Sequence, residues 1–132
     1  MQFEEFIGQV QHRGRLATRS EAERATRATL EALAERLEGG APGNLAAQLP
    51  QELAGCLERR GSGERFSVEQ FFDRVAERTN ADRPRAVFEA RVVLDVLREA
   101  VAGGTLDKVR AQLPEEFDPL FAAGSEGELE IR

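Results

Sequence analysis

The chain has 132 residues, 41% hydrophobic and 32% charged, with a formal net charge of −6 and 6% aromatic residues, all of them Phe. That length suits one domain burying roughly two-thirds of its unfolded surface, and the abundance of Ala, Leu, Glu and Arg favours helix over sheet. The acidic balance repels a phosphate backbone, and a single cysteine, Cys56, excludes an internal disulfide. The N-terminus lacks the basic start and apolar run of a secretion signal, and no stretch approaches the roughly 20 apolar residues of a membrane helix, so a cytoplasmic protein with no membrane contact is expected.

Phe3, Phe6, Ile7 and Val10 recur at helical spacing and predict a first helix over residues 3–12, with His12 at its end as a partner for the helix dipole. A loop from Arg13 to Ala17 leads to Thr18 and Glu21, which have the spacing of a capping box. The long helix that follows carries the stripe Ala22, Thr26, Leu30, Leu33 and Leu37, and Gly39 and Gly40 are expected to end it. Pro42 suits the first turn of a short third helix with Leu45 and Leu49 inward. Pro50 stops that helix and opens a fourth, with Leu53, Cys56 and Leu57 buried.

Beyond the polar, glycine-containing stretch 59–65, Ser67 and Gln70 form a second capping box and start a fifth helix with Phe71, Phe72 and Val75 inside. Asp82 and Pro84 open a sixth. Its stripe of Ala90, Leu94, Leu97 and Val101 is widened by Val87, Val92, Val93 and Val96, which implies contact on two sides. Thr105 is the expected cap of a seventh helix carrying Leu106, Val109 and Leu113, and Pro114 ends it. The last helix is expected to begin with Asp118 as cap and Pro119 as first residue, burying Leu120 and Phe121. The acidic tail from Gly124 to Arg132 is expected to fray, with docking on a groove as its alternative.

Residues 22–53 and 86–117 align without gaps at a period of 64 and share twelve identities, among them Gly39/Gly103, Gly40/Gly104 and the doubled Ala-Gln-Leu-Pro at 47–50 and 111–114. One loop residue fewer brings Glu4, Phe6, Val10 and Arg13 onto Glu69, Phe71, Val75 and Arg78. Self-similarity at a fixed period marks a repeated supersecondary unit, and a helical unit of this size buries too little surface alone. The expected fold is therefore all-α: a tandem duplication of a roughly four-helix unit, the two halves packed with pseudo-twofold symmetry into one compact helical domain. The boundaries are repeat 1 at 1–60, a linker at 61–65, repeat 2 at 66–123 and the tail at 124–132. Exchange of halves between two chains is a further possibility of such a fold.

No catalytic, metal or cofactor signature accompanies this pattern. The one histidine has no Glu at di-metal spacing and no nucleophile beside it, and the Gly-Gly pairs are read as following helices rather than opening a phosphate loop. The polar identities between copies are the remaining handle. Arg27 and Arg91 occupy one helix position, each four residues before an acid, Glu31 or Asp95, while Gln48 coincides with Gln112. These six residues either bridge their own helices and satisfy backbone near the proline turns, or line a polar junction that binds a partner. The function expected is a non-catalytic protein-interaction or self-associating module, its partner another protein or a second copy in a homodimer. A nucleic-acid-binding module needs Arg13, Arg15 and Arg19 to cluster with Arg24 and Arg27 against the acidic mean field; a carboxylate-based small-molecule enzyme comes third.

The order Phe-Ile-Gly-Gln-Val at 6–10, Ala-Glu-Arg-Ala at 22–25 with Leu-Glu-Ala-Leu at 30–33, Glu-Gly-Gly at 38–40 and the doubled Ala-Gln-Leu-Pro resembles the bacterial family called domain of unknown function 2267, over nearly the whole chain. The resemblance implies a small all-helical bacterial protein with no assigned activity and no catalytic residues to carry over.

Overall fold

The computed structural model describes residues 1–58 and 63–121. Among them every regular element is helical: α1 (Phe3–Gly14), α2 (Arg19–Arg36), α3 (Ala41–Ala46), α4 (Gln51–Glu58), α5 (Val68–Thr79), α6 (Arg83–Ala100), α7 (Gly103–Ala111) and a closing 3₁₀ segment (Glu115–Phe121). The expected acidic tail, 124–132, lies outside the described residues.

Side-chain caps set the starts of α2, α5 and α6. Thr18 accepts from the Glu21 amide at 3.1 Å, although the Glu21 carboxylate reaches back to the Ala17 amide, one residue earlier than a capping box requires. Ser67 and Gln70 complete a full capping box, and Asp82 accepts from the Arg85 amide at 3.0 Å with Pro84 in the first turn. Arg15 and Asn80 close α1 and α5 in the left-handed conformation.

Four helix boundaries depart from expectation, the first being α1, which runs on through Arg13 to Gly14 instead of giving way to a loop at Arg13. The second helix stops at Arg36, not at the glycines, because Leu37 turns to extended geometry and carries a fully buried side chain into the core. Ala102, not Thr105, occupies the cap position of α7, so Gly103 and Gly104 open that helix instead of following one. The last element begins at Glu115 and runs through Pro119 as a 3₁₀ helix. The Phe117 amide donates to the Pro114 carbonyl at 2.9 Å, and that early start seats Phe117, fully buried, edge-on to Phe71 at 6.0 Å.

The two eighteen-residue helices, α2 and α6, pack on each other and carry the core. Each of the twelve-residue helices α1 and α5 touches both of them, α4 covers α2, and the 3₁₀ segment covers α6. The broad apolar face of α6 is thus covered within the chain: Val92, Val93 and Val96 have no exposure. At roughly 25 cal/mol per Å² of apolar area, each such side chain contributes about 1.5–3 kcal/mol. Past α4, the chain returns along the end of α2, where the Gly63 amide donates to the Leu37 carbonyl at 3.0 Å and the Glu64 amide to the Glu35 carbonyl at 2.9 Å. Gly63 has φ +66°, and a Cβ there would meet the Glu38 Cβ at 3.0 Å, so this turn requires glycine.

Candidate functional site

The short helices α3 and α7 face each other and leave a cleft of about 450 Å³ between them, lined by Gly40, Ala41, Asn44, Ala47 and Gln48 on one side and Thr105, Lys108, Val109 and Gln112 on the other. Gln48 and Gln112 stand in its walls and brace them in opposite directions. The Gln48 amide oxygen accepts from the Ala102 amide at 2.8 Å, and its nitrogen donates to the Thr105 hydroxyl. The Gln112 oxygen accepts from the Glu38 amide at 3.0 Å while its nitrogen donates to the Glu38 carbonyl at 3.2 Å. Both glutamines therefore satisfy backbone across the molecule. The side chains of Asn44 and Lys108, by contrast, are exposed and have no hydrogen-bond partner among the described residues, so the rim keeps unspent donors and acceptors.

The other predicted residues lie elsewhere. Arg27 ties α2 to α4: it donates to the Glu52 carbonyl at 3.0 Å and the Cys56 sulfur at 3.7 Å, and pairs with Glu23 at 3.1 Å rather than with Glu31. Burial works to lower its pKa, but the Glu23 hydrogen bond and the neighbouring Cys56 outweigh that and leave it raised. Cys56 itself is buried. The Arg91 side chain is half-buried on α6 with no hydrogen-bond or ion-pair partner among the described residues.

Glu31 and Asp95 take partners from distant helices. Arg78 of α5 binds Glu35 at 2.7 Å and lies 3.8 Å from Glu31, and Arg74 adds a second contact to Glu35 at 2.8 Å. Arg13 of α1 binds Asp95 at 2.7 Å and Glu99 at 2.8 Å on α6. The Arg13 hydrogen bonds hold the Glu99 carboxyl below its ordinary range. Arg36 is pulled the other way: burial, then the nearby Arg65, lowers its guanidinium, which donates to the Phe66 carbonyl at 3.0 Å and sits 5.6 Å from the Phe117 ring centre. Arg13, expected only as part of a nucleic-acid face, and Arg78, not among the expected site residues, are thus the connecting residues, and they coincide in the alignment of the copies.

The arginines considered for a nucleic-acid face are largely spent. Arg13 is held by Asp95 and Glu99, Arg19 by Glu4, and Arg27 by Glu23. No group of three or more His, Cys, Asp or Glu placed to hold a metal lies among the described residues, and no described helix is long and apolar enough to cross a membrane.

A protein-family model described as "Uncharacterized conserved protein (DUF2267)" matches residues 3–120. No curated protein gives a significant match to the chain.

Proposed function

The chain belongs to the DUF2267 family of uncharacterised conserved proteins, and on that premise we propose that it is a non-catalytic interaction module that receives a segment of a partner protein in the cleft between α3 and α7. The module is a tandem duplication with the boundaries 1–60, 61–65, 66–123 and 124–132, its halves related by a pseudo-twofold axis. It works in a bacterial cytoplasm.

Reciprocity supports the symmetry. Gln112 is Gln48 displaced by the period of 64, and Ala102 is Glu38 displaced by the same amount. Each half's glutamine thus reaches the backbone just past the other half's long helix. Arg13 reaching Asp95 and Glu99 repeats, in the opposite sense, Arg78 reaching Glu31 and Glu35. A twofold relation sends such pairs both ways; a translational repeat sends them one way.

The observation that carries the functional reading is the cleft itself. Its walls pair equivalent positions, Ala41 with Thr105 and Asn44 with Lys108; its floor is small enough for a polypeptide backbone to approach, and its rim offers unspent polar groups. Met1 is the one exposed large hydrophobic residue among those described, so the partner surface is polar rather than an apolar patch. The broad apolar face of α6 is consumed inside the chain and is not offered to a second copy.

Ala47 is exposed at the cleft, so Ala47→Trp fills it without entering the core. Affinity capture from the native host should retain a partner on the wild-type chain and lose it on Ala47→Trp at unchanged melting temperature. Equal retention on both would overturn the proposal.

A further inference from the structure

A second cavity, of about 360 Å³, opens where the α1–α2 and α5–α6 connections meet. Independently of the cleft between α3 and α7, we propose that it is a binding site for a small zwitterion of the α-amino-acid class.

The lining dictates the charge of the ligand. Glu21 and Arg24 come from the first two turns of α2, three residues apart and so on one helix face; Arg85 and Glu89 come from the first two turns of α6, four residues apart and likewise on one face. Two acids and two bases give a cavity with no net charge. A lone anion meets two carboxylates there and a lone cation meets two guanidiniums, like-charge contacts that weaken binding of either. A ligand bearing one charge of each sign satisfies both.

Not all of these groups are already committed. Arg24 has no ion-pair or hydrogen-bond partner among the described residues. Glu89 has only 8% of its side chain exposed, and its Oε2 takes the Arg85 Nε at 2.8 Å while Oε1 has no partner among the described residues. Glu21 spends one oxygen on the Ala17 amide at 3.1 Å. The ligand carboxylate therefore takes the open guanidinium of Arg24, the residue type whose planar fork suits it. The ligand ammonium takes the unspent carboxylate oxygens of Glu89 and Glu21. Leu16 and Ala81 supply an apolar wall wide enough for a short aliphatic side chain. The volume lies at the lower end of ligand sites, which suits a metabolite of this size.

Calorimetric titration of the full chain with L-valine tests the site, alongside isovalerate, which lacks the ammonium, and isobutylamine, which lacks the carboxylate. Saturable L-valine binding is expected, with each single-charge analogue weakened by about tenfold or more, the consequence of losing one charge-assisted contact. Arg24→Ala removes an exposed side chain and should abolish binding with the circular-dichroism melt unchanged; Glu89→Gln, if it folds, should weaken L-valine while leaving isovalerate as it was. Flat isotherms with L-valine, L-alanine and L-glutamine would overturn the proposal, as would isovalerate binding as tightly as L-valine.

Discussion

Replacing Glu35 by Gln probes the tie that holds α5 against α2. Only 8% of the Glu35 side chain is exposed, and it receives Arg74 at 2.8 Å and Arg78 at 2.7 Å. Breaking a fully buried pair costs about 3–5 kcal/mol, whereas an exposed pair is worth about 0–1 kcal/mol. Both arginines keep more than a quarter of their side chains in water, 29% and 28%, and Arg74 retains Glu64 at 2.9 Å. The expected loss therefore falls between the limits, at about 2 kcal/mol. For a domain of this size each kcal/mol moves the midpoint by about 3–5 °C, so Glu35→Gln should lower Tm by about 6–10 °C in calorimetry. Asp95→Asn, which loosens the contacts of Arg13 and Arg98 at 2.7 Å each, should fall by a similar amount. Glu4→Gln, which removes the exposed partner of Arg19, should leave Tm where it was. A Glu35→Gln shift no larger than that of Glu4→Gln would refute the assignment of Glu35 as a tie between helices.

Arg13→Ala should flatten the acid limb of the stability curve. The folded Glu99 carboxyl is held below its ordinary value, so its contribution is present above the unfolded carboxylate pKa and is lost as pH falls through the folded one, a window opening near pH 4–5 and extending downward. The measurement is Tm against pH for wild type and variant, whose curves should converge at the acid end. Ser67→Ala should cost about 0.5–2 kcal/mol by removing the hydroxyl half of the α5 capping box, read from urea midpoints at unchanged m-value. Phe117→Ala should cost about 3–5 kcal/mol, because the fully buried ring packs on Phe71; a loss below 1 kcal/mol would show that the 3₁₀ segment is not part of the core. Cys56 is buried, so its thiol should react with a disulfide reagent only as fast as the chain unfolds.

What the sequence revealed was local, and what it hid was long-range. Thr18, Ser67 and Asp82 announce helix starts because a cap acts within three residues, and the Leu30, Leu33, Leu94 and Leu97 stripes announce buried faces because their period is the helix's own. The start of α7 was illegible: the Ala102 amide is satisfied by Gln48, 54 residues away, and no local signal encodes that bond. Of the pairs at helical spacing, Glu23 with Arg27 forms, while Arg27 with Glu31 and Arg91 with Asp95 do not, for the same reason. Arg27 and Arg91 sit four residues before Glu31 and Asp95, but those acids lie near Arg78 and Arg13, contributed by α5 and α1. Pro119 suggested a late helix start because it forbids an α-helix interior; burial of Phe117 instead selects a 3₁₀ turn, where a short element loses little to one missing amide. Of the candidate site, the two glutamines were visible through their repetition, while Asn44, Lys108 and Thr105 differ from or merely match ordinary surface residues and carry no repeat signal.

The most direct measurement places a photo-crosslinking residue at Asn44, on the rim of the α3–α7 cleft, and in a separate chain at Glu77, exposed on α5. After irradiation in the native host, the interaction module proposed here predicts a discrete heavier adduct from position 44, lost when Ala47→Trp is added, and none from position 77. The same adducts from both positions, or none from position 44, would contradict it.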